Sequence, residues 1–383
     1  MHNHDHSSEK PNKYIVIVIL ALSLAGLVYS FSKPSGKDVI NGVVKEVLSE
    51  TETILEIGGK NKIVKEQELL VEIIIENEKK SVGVVNDFIP VVVGDEIFVS
   101  GSLFGDTEFS IVDISRTKEL ILLSILFVML VLLTSGWKGL YSLIGLLFSF
   151  AVIFVFIVPQ ILKGAGPVGV GIGGAAIILI STLYLSYGLN RKSIAAFLGI
   201  IFSLLFTGIL ANFIVDATQL NGLSEVTMYL DIETGNSINF AGLLIAGIII
   251  AAVGVLDDVA AIQSSVVFSL VLANPSLRGF KLFREAMRVG KDHISAVVNT
   301  LILAYTGAAL PLILLLYLRN MPADYFVSLG AVAEEIVRTL VSSSGLLLAV
   351  PLTTIIATIM ASRDQRLTAE ISKLSKSDTR SMS

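Results

Sequence analysis

The chain has 383 residues, of which 53% are hydrophobic and only 16% charged, well below the quarter that is usual in a soluble domain. Long apolar runs exclude a wholly soluble protein, and a net charge of −5 leaves no basic excess for gripping nucleic acid. With no Cys, a disulfide framework, a thiolate metal site and a cysteine nucleophile are excluded.

A helix needs about 20 mostly apolar residues to cross roughly 30 Å of hydrocarbon. Eight segments qualify: 14–32, 119–135, 141–162, 168–189, 193–215, 240–260, 294–318 and 340–361. In chain order, residues 1–13 form a short N-terminal tail that contains His2, His4 and His6, weak imidazole candidates for a divalent metal without preorganised geometry. Residues 14–32 form an anchor read as retained, although Ala21 to Ser30 leaves room for cleavage.

Residues 33–118 change character. Short β-branched stretches such as Leu69–Glu76 and Val91–Ser100 are broken by Gly58-Gly59, Asn86-Asp87, Gly94-Asp95 and Gly105-Asp106. That pattern predicts five or six strands closing into a small barrel of the OB kind. With 9 Lys/Arg against 16 Asp/Glu in 33–117, this domain has no electrostatic reason to bind an anionic surface. Residues 119–361 then hold seven spans, and 362–383 form a weakly basic tail expected to be disordered. The fold class is an all-α polytopic membrane helix bundle of about eight spans, with the β domain inserted between spans 1 and 2.

Basic residues set the orientation, because Lys and Arg in short loops prefer the cytoplasmic side. With the N-terminus inside, the inner segments hold 15 Lys/Arg, and the outer loop 216–239 carries four acids and no base. Both termini are thus expected on the cytoplasmic side, with the β domain outside. The stretch 240–274 is too long for one span and too short for two. One span followed by a helix that leaves the bilayer keeps Arg278, Lys281, Arg284, Arg288 and Lys291 inside, and a re-entrant break at Leu256-Asp257-Asp258 is the competitor.

Asp257 and Asp258 follow 17 uncharged residues, and an ionised carboxylate at the centre of a membrane helix costs roughly 2.5 kcal/mol or more. They mark either the end of a span or a cation or proton site. In the next span Asn299 and Thr300, then Tyr305 and Thr306, form a polar stripe; Asn299 is expected at a depth near that of Asp258, where the two can meet. Interhelical hydrogen-bond glue is the alternative. The glycines at 164, 166, 169, 171, 173 and 174 predict close packing or a broken helix, and Pro311 and Pro351 predict kinks. The loop 275–292 mixes Phe280, Phe283 and Met287 with five basic residues. It reads as a helix on the inner membrane face, a docking site for a membrane partner or second copy, or a topological anchor. No hydrolase, nucleotide or protease motif is present, so neither an enzyme nor a cofactor is expected.

The run Gly242 to Ile250, then Gly254-Val-Leu-Asp-Asp258-Val-Ala260, Ser264-Ser265, Gly290-Lys-Asp292 and Asn299-Thr-Leu-Ile-Leu-Ala-Tyr305-Thr-Gly307 resembles the YibE/F family of bacterial multi-pass membrane proteins. Val85-Asn86-Asp87, Val93 to Glu96 and Trp137 to Leu140 are similar to it as well, so the likeness covers most of 40–360. It implies a transporter- or permease-like architecture in which the family aspartate maps to Asp258, and Asp257 stands where an apolar residue is expected. The leading expectation is transport of a small solute or cation through Asp258, Asn299, Thr300 and Tyr305, with Asp257 beside them. The alternative is a membrane scaffold whose outer β domain senses a ligand or envelope partner. A permease subunit served by a separate ATPase, prompted by Arg284-Glu285-Ala286, is the third.

Overall fold

The computed structural model describes residues 12–32, 39–57, 60–75, 78–87, 89–100, 109–235, 238–319 and 322–381. His2, His4 and His6 lie outside them, as do the Gly58-Gly59 and Gly105-Asp106 turns. The chain divides into two compact units, Phe31–Gly136 and the remainder.

The first unit holds five strands: β1 (Val39–Ile57), β2 (Lys60–Ile75), β3 (Glu78–Asn86), β4 (Glu96–Ser100) and β5 (Phe109–Ile114). They close into a barrel in the order β1-β2-β3-β5-β4, so β1 pairs with both β2 and β4, and a short parallel pairing of β3 with β5 completes the ring. Closure removes free sheet edges. The period-2 alternation turns Leu69, Val71 and Ile73 of β2 inward with Val44, Val84, Val91, Ile97 and Val99. At Gly42 an added Cβ would come within 2.6 Å of Val71 Cγ1, so β1 crosses β2 too closely for any larger residue. Asn86, expected only as a turn residue, is buried: its Nδ2 donates to Gln67 Oε1 (2.9 Å) and to Ile89 O (2.7 Å), and Gln67 Oε1 also accepts from Val91 N–H at 2.9 Å. This pair satisfies the backbone where the chain leaves β3.

The helices are α1 (Lys13–Phe31), α2 (Thr117–Val152), which runs through a π-helical turn (Ile153–Ile157) into α3 (Val158–Leu162), α4 (Pro167–Tyr187), α5 (Arg191–Ala217), α6 (Glu225–Thr234), α7 (Phe240–Ala273), α8 (Gly279–Ala308), α9 (Leu310–Leu318), α10 (Ala323–Ser328) and α11 (Gly330–Ser381). Their starts follow local chemistry. Pro167 opens α4; Asn190 and Asn239 accept from the Ser193 and Gly242 N–H groups to cap α5 and α7; Ser224 and Thr227 form a capping box on α6.

Among the described residues six helical stretches are long and apolar enough to cross a membrane, or seven if the bent pair α8–α9 counts as one. The number differs from eight because 119–135 and 141–162 lie in one stretch, Thr117–Leu162, interrupted at Gly136 (φ 55°, ψ −140°), the boundary between the two units. Segment 240–274 is one unbroken 34-residue helix, which removes the re-entrant break at Leu256-Asp257-Asp258 and leaves the single-span reading. Two other expectations change. The span at 294–318 begins earlier and is bent: α8 starts at Gly279, carrying the basic stretch into the span, and a 59° bend beside Pro311 sets α9 off. The tail 362–383, which contains neither Gly nor Pro, continues α11 to Ser381. The glycine-rich α4 is unbroken, and two of its glycines, Gly171 and Gly174, stand where neighbouring side chains leave no room for a Cβ. A Cβ at Gly171 would stand 3.0 Å from Ala246 Cβ of α7.

Helices α4, α5, α7 and α11 share one apolar core that includes Leu179, Ile200, Ile249, Leu256 and Val350. A second cluster, Ala195, Val267, Leu282, Ala286, Ala357 and Ala361, seats the start of α8 against the end of α7. Small residues set the closest approach, between α5 and α11. Gly199 receives the hydroxyl of Thr353, Gly345 receives that of Thr207, and Ser203 Oγ donates to the Gly345 carbonyl.

Candidate functional site

Asp257 and Asp258 stand at the middle of α7, with about 25 Å of helix on either side. One level can be fixed independently: Ser264 Oγ donates to Lys192 O at 2.8 Å, so Ser264 is abreast of the Arg191-Lys192 pair that opens α5. Asp258 lies six residues, about 9 Å, beyond that basic level into the apolar part of the bundle. The helix continues past the carboxylates in both directions, so they do not mark its end.

Adjacent helical positions differ by about 100°, and the two carboxylates accordingly have different surroundings. Asp257 is half-buried beside Thr182 of α4, whose hydroxyl donates to Leu179 O at 3.3 Å, and its Oδ1 is buried with no partner among the described residues. Asp258 is exposed, in a stripe with Gly254 and Ile262 along α7, and the imidazole of His293 on α8 is within electrostatic reach. Tyr187, at the end of α4, is within reach of both acids. His293 Nε2 is itself buried and without a hydrogen-bond partner among the described residues. Three helices thus bring a hydroxyl, a phenol, an imidazole and two carboxylates to one level, a donor–acceptor set that can hold a cation or pass a proton.

The stripe on α8 is divided. His293 and Thr300 are seven residues apart and share a face, whereas Asn299 is turned about 240° from His293. Asn299 and Thr300 are both exposed, Thr300 Oγ1 donates to Ala296 O at 3.0 Å, and no hydrogen bond joins Asn299 to Asp258 among the described residues. Tyr305 lies about 18 Å along α8 from His293, near Glu335 and Arg338 of α11. Glu335 Oε1 and Arg338 Nη1 are 3.5 Å apart, and Arg338 Nε is buried with no hydrogen-bond partner among the described residues. The sequence-derived residues therefore fall into two polar levels: Asp257 and Asp258 with His293, and Tyr305 with Glu335 and Arg338. Thr300 lies between them on the face of His293.

Sequence reasoning missed Thr182, Tyr187, Glu335 and Gln263, and gave His293 and Arg338 no role in the site. The available signal was a single Tyr or His just inside the edge of an apolar run. Gln263 is 2% exposed, donates to Ala286 O (3.1 Å) and Thr354 Oγ1 (2.7 Å), and ties α7, α8 and α11 together one to two turns from the carboxylates. No cluster of three or more His, Cys, Asp or Glu suited to a metal ion occurs among the described residues.

No curated protein and no solved structure matches the chain. The YibE/F-like protein family matches residues 123–363, which takes in the carboxylate pair, His293, Asn299 and the Glu335–Arg338 pair. With that match over more than half its length, and with several helices apolar enough to cross a bilayer, this chain is a membrane protein of the YibE/F-like family.

Proposed function

We propose that the protein is a transporter or permease for a cation, proton or small polar solute, with Asp257 and Asp258 as its binding centre. One observation carries this: a carboxylate pair stands at mid-helix, about 9 Å inside the basic level of Lys192, with Tyr187 within electrostatic reach of both acids and His293 within reach of Asp258, from two other helices. Polar side chains at such depth are expensive and pay for themselves only through function. The route runs from the Tyr305–Glu335–Arg338 level past Thr300 to His293 and Asp258, and Asn299 lines it from the adjoining face of α8. No catalytic step is assigned to the chain.

In this proposal the chain crosses a bacterial inner membrane eight times. The stretch Thr117–Leu162 supplies two crossings, since 46 residues of helix would be about 69 Å long, twice the hydrocarbon thickness. Both termini are then cytoplasmic and the barrel, whose strand order suits the OB type, lies outside.

Purified protein in proteoliposomes, assayed for flux of protons and of monovalent and divalent cations, provides the test. Asp258→Asn and Asp257→Asn are each expected to lower the flux at least about tenfold, the equivalent of ~1.4 kcal/mol. Glu52→Gln in the barrel leaves it unchanged. Flux of the same size in both aspartate variants would remove the centre, and a protein that moves none of these ions would favour the scaffold.

A further inference from the structure

What can pass the carboxylate centre is limited by the packing on its basic side. About one turn from His293, Gly290 of α8 stands so close to α7 and α11 that an added Cβ would come within 2.7 Å of Val350 Cγ1 and 2.8 Å of Gln263 Oε1. Gln263 fills that junction, donating to Ala286 O and Thr354 Oγ1, and Leu256, Val259 and Ala260 are buried on the same helix. With these contacts in place, a solute or a hydrated cation has no room to pass. Ionisable groups near the junction are few. The sequence has none on α5 between Lys192 and Asp216 and none on α11 between Arg338 and Arg363, and α4 offers only Tyr184 and Tyr187. Tyr184 Oη accepts from the Asn12 N–H at 3.2 Å, which leaves Tyr187 of α4 and His293 of α8 as the groups within reach of the carboxylates. His293 directly follows Lys291 and Asp292, both exposed, so it connects the open start of the span to Asp258.

We propose that the ion handled at this centre is the proton, and that His293 exchanges it with Asp258 on the side of Lys291 and Asp292. This narrows the transport reading, on which it rests, to a single substrate. The ligand set favours a proton over a metal ion. Hard divalent cations take about six oxygen ligands or more. Here the two carboxylates point about 100° apart, and the Thr182 hydroxyl is engaged with Leu179 O. No group of three His, Cys, Asp or Glu suited to a metal occurs among the described residues. A proton needs one acceptor at each stop, and Asp257 Oδ1 and His293 Nε2 are both buried with no hydrogen-bond partner among the described residues. In the step itself the proton on His293 Nε2 moves, through one water or a side-chain rotation, to a carboxylate oxygen of Asp258. The imidazolium becomes a neutral imidazole, the carboxylate becomes a neutral carboxyl, and the summed charge of the pair stays zero. Two charges vanish together, so neither is left unpaired at membrane depth. Loss of the proton on the far side restores the carboxylate.

The test reconstitutes the full chain in vesicles loaded with a pH-sensitive dye, with the membrane potential clamped by potassium and valinomycin, and follows proton flux under an imposed pH difference. Parallel vesicles without valinomycin are assayed for uptake of radioactive sodium, rubidium and magnesium. Proton flux is expected at least about tenfold above protein-free vesicles, with uptake of the three metal ions at the protein-free level. His293→Gln should lower proton flux at least about tenfold while keeping its melting temperature in detergent. With the pH difference held constant, wild-type flux should fall as both sides are raised through the imidazole range near about 6.5, and the residual flux of His293→Gln should not follow that profile. Should His293→Gln fail to fold, the ion comparison on the wild type decides. Metal-ion uptake that Asp258→Asn abolishes, with no proton flux, would overturn the proton and leave the binding centre standing. Undiminished proton flux in a folded His293→Gln, or an unchanged pH profile, would overturn the role of His293. A wild type that moves none of these ions would remove the transport reading itself.

Discussion

At Gly290 a single methyl group has nowhere to go. A Cβ there would stand 2.7 Å from Val350 Cγ1 and 2.8 Å from Gln263 Oε1, so α8 approaches α7 and α11 only because this position is glycine. Gly290→Ala should therefore lower stability by about 1–3 kcal/mol, the usual cost of overpacking, as a lower melting temperature in detergent. An unchanged value would mean that the three helices part easily. The same packing explains what could be read of the site. Asp257 and Asp258 stood out because charge inside an apolar run is conspicuous whatever the fold. Their partners did not, because which residue of α8 faces α7 depends on where α8 starts. A start near residue 294 sets Asn299 at the level of Asp258; the helix begins at Gly279, and Gly290 against Gln263 brings His293 there instead. Six residues of difference in register turn the helix by about 240°.

Between elements, the closest seam is that of α5 with α11, where Gly199, Ser203 and Thr207 recur every fourth residue opposite Gly345 and Thr353. Ser203→Ala removes one interhelical hydrogen bond and should cost about 0.6 kcal/mol, whereas Gly199→Val forces the helices apart and should cost several times as much. Thermal unfolding of the two variants side by side checks the ratio, and equal losses would contradict a packing role for the glycine. In the barrel, surface ion pairs give a dependence on acid. Hydrogen bonds from Lys65 to Glu50 and from Lys79 to Glu72 hold these carboxyls below their ordinary 4.5, and the Ile114 N–H with Arg116 holds Asp113 below 3.8. Groups depressed in the folded state lend stability that is complete above the unfolded values and fades as pH falls through the folded ones. The barrel's melting, followed by its β-sheet infrared band, should be flat at neutral pH and drop at acid pH. A rise on acidification would reverse the sign of these interactions. The five strands were legible because alternation and turn residues act locally; the buried Gln67–Asn86 pair was not, since both residues look like loop chemistry until the barrel closes around them.

For the molecule as a whole, hydropathy revealed a membrane protein and roughly where its helices lie, but not where helices that share a rigid axis continue past the bilayer. The helix α7 is about 51 Å long against some 30 Å of hydrocarbon, so its last turns, the start of α8 and the end of α11 project together beyond the basic level of Lys192. Val267 of α7 and Leu282 of α8, both outside the spans marked by hydropathy, form the apolar core of that projection. The proposed function depends on Asp258 being on the membrane side of that level, shielded from bulk water. Because the chain has no native Cys, Asp258→Cys and the exposed Ser269→Cys can each be labelled with a membrane-impermeant maleimide in sealed inverted vesicles. Position 269 should react rapidly and position 258 far more slowly. Equal rates at the two positions would place the carboxylate in open water and contradict the binding centre.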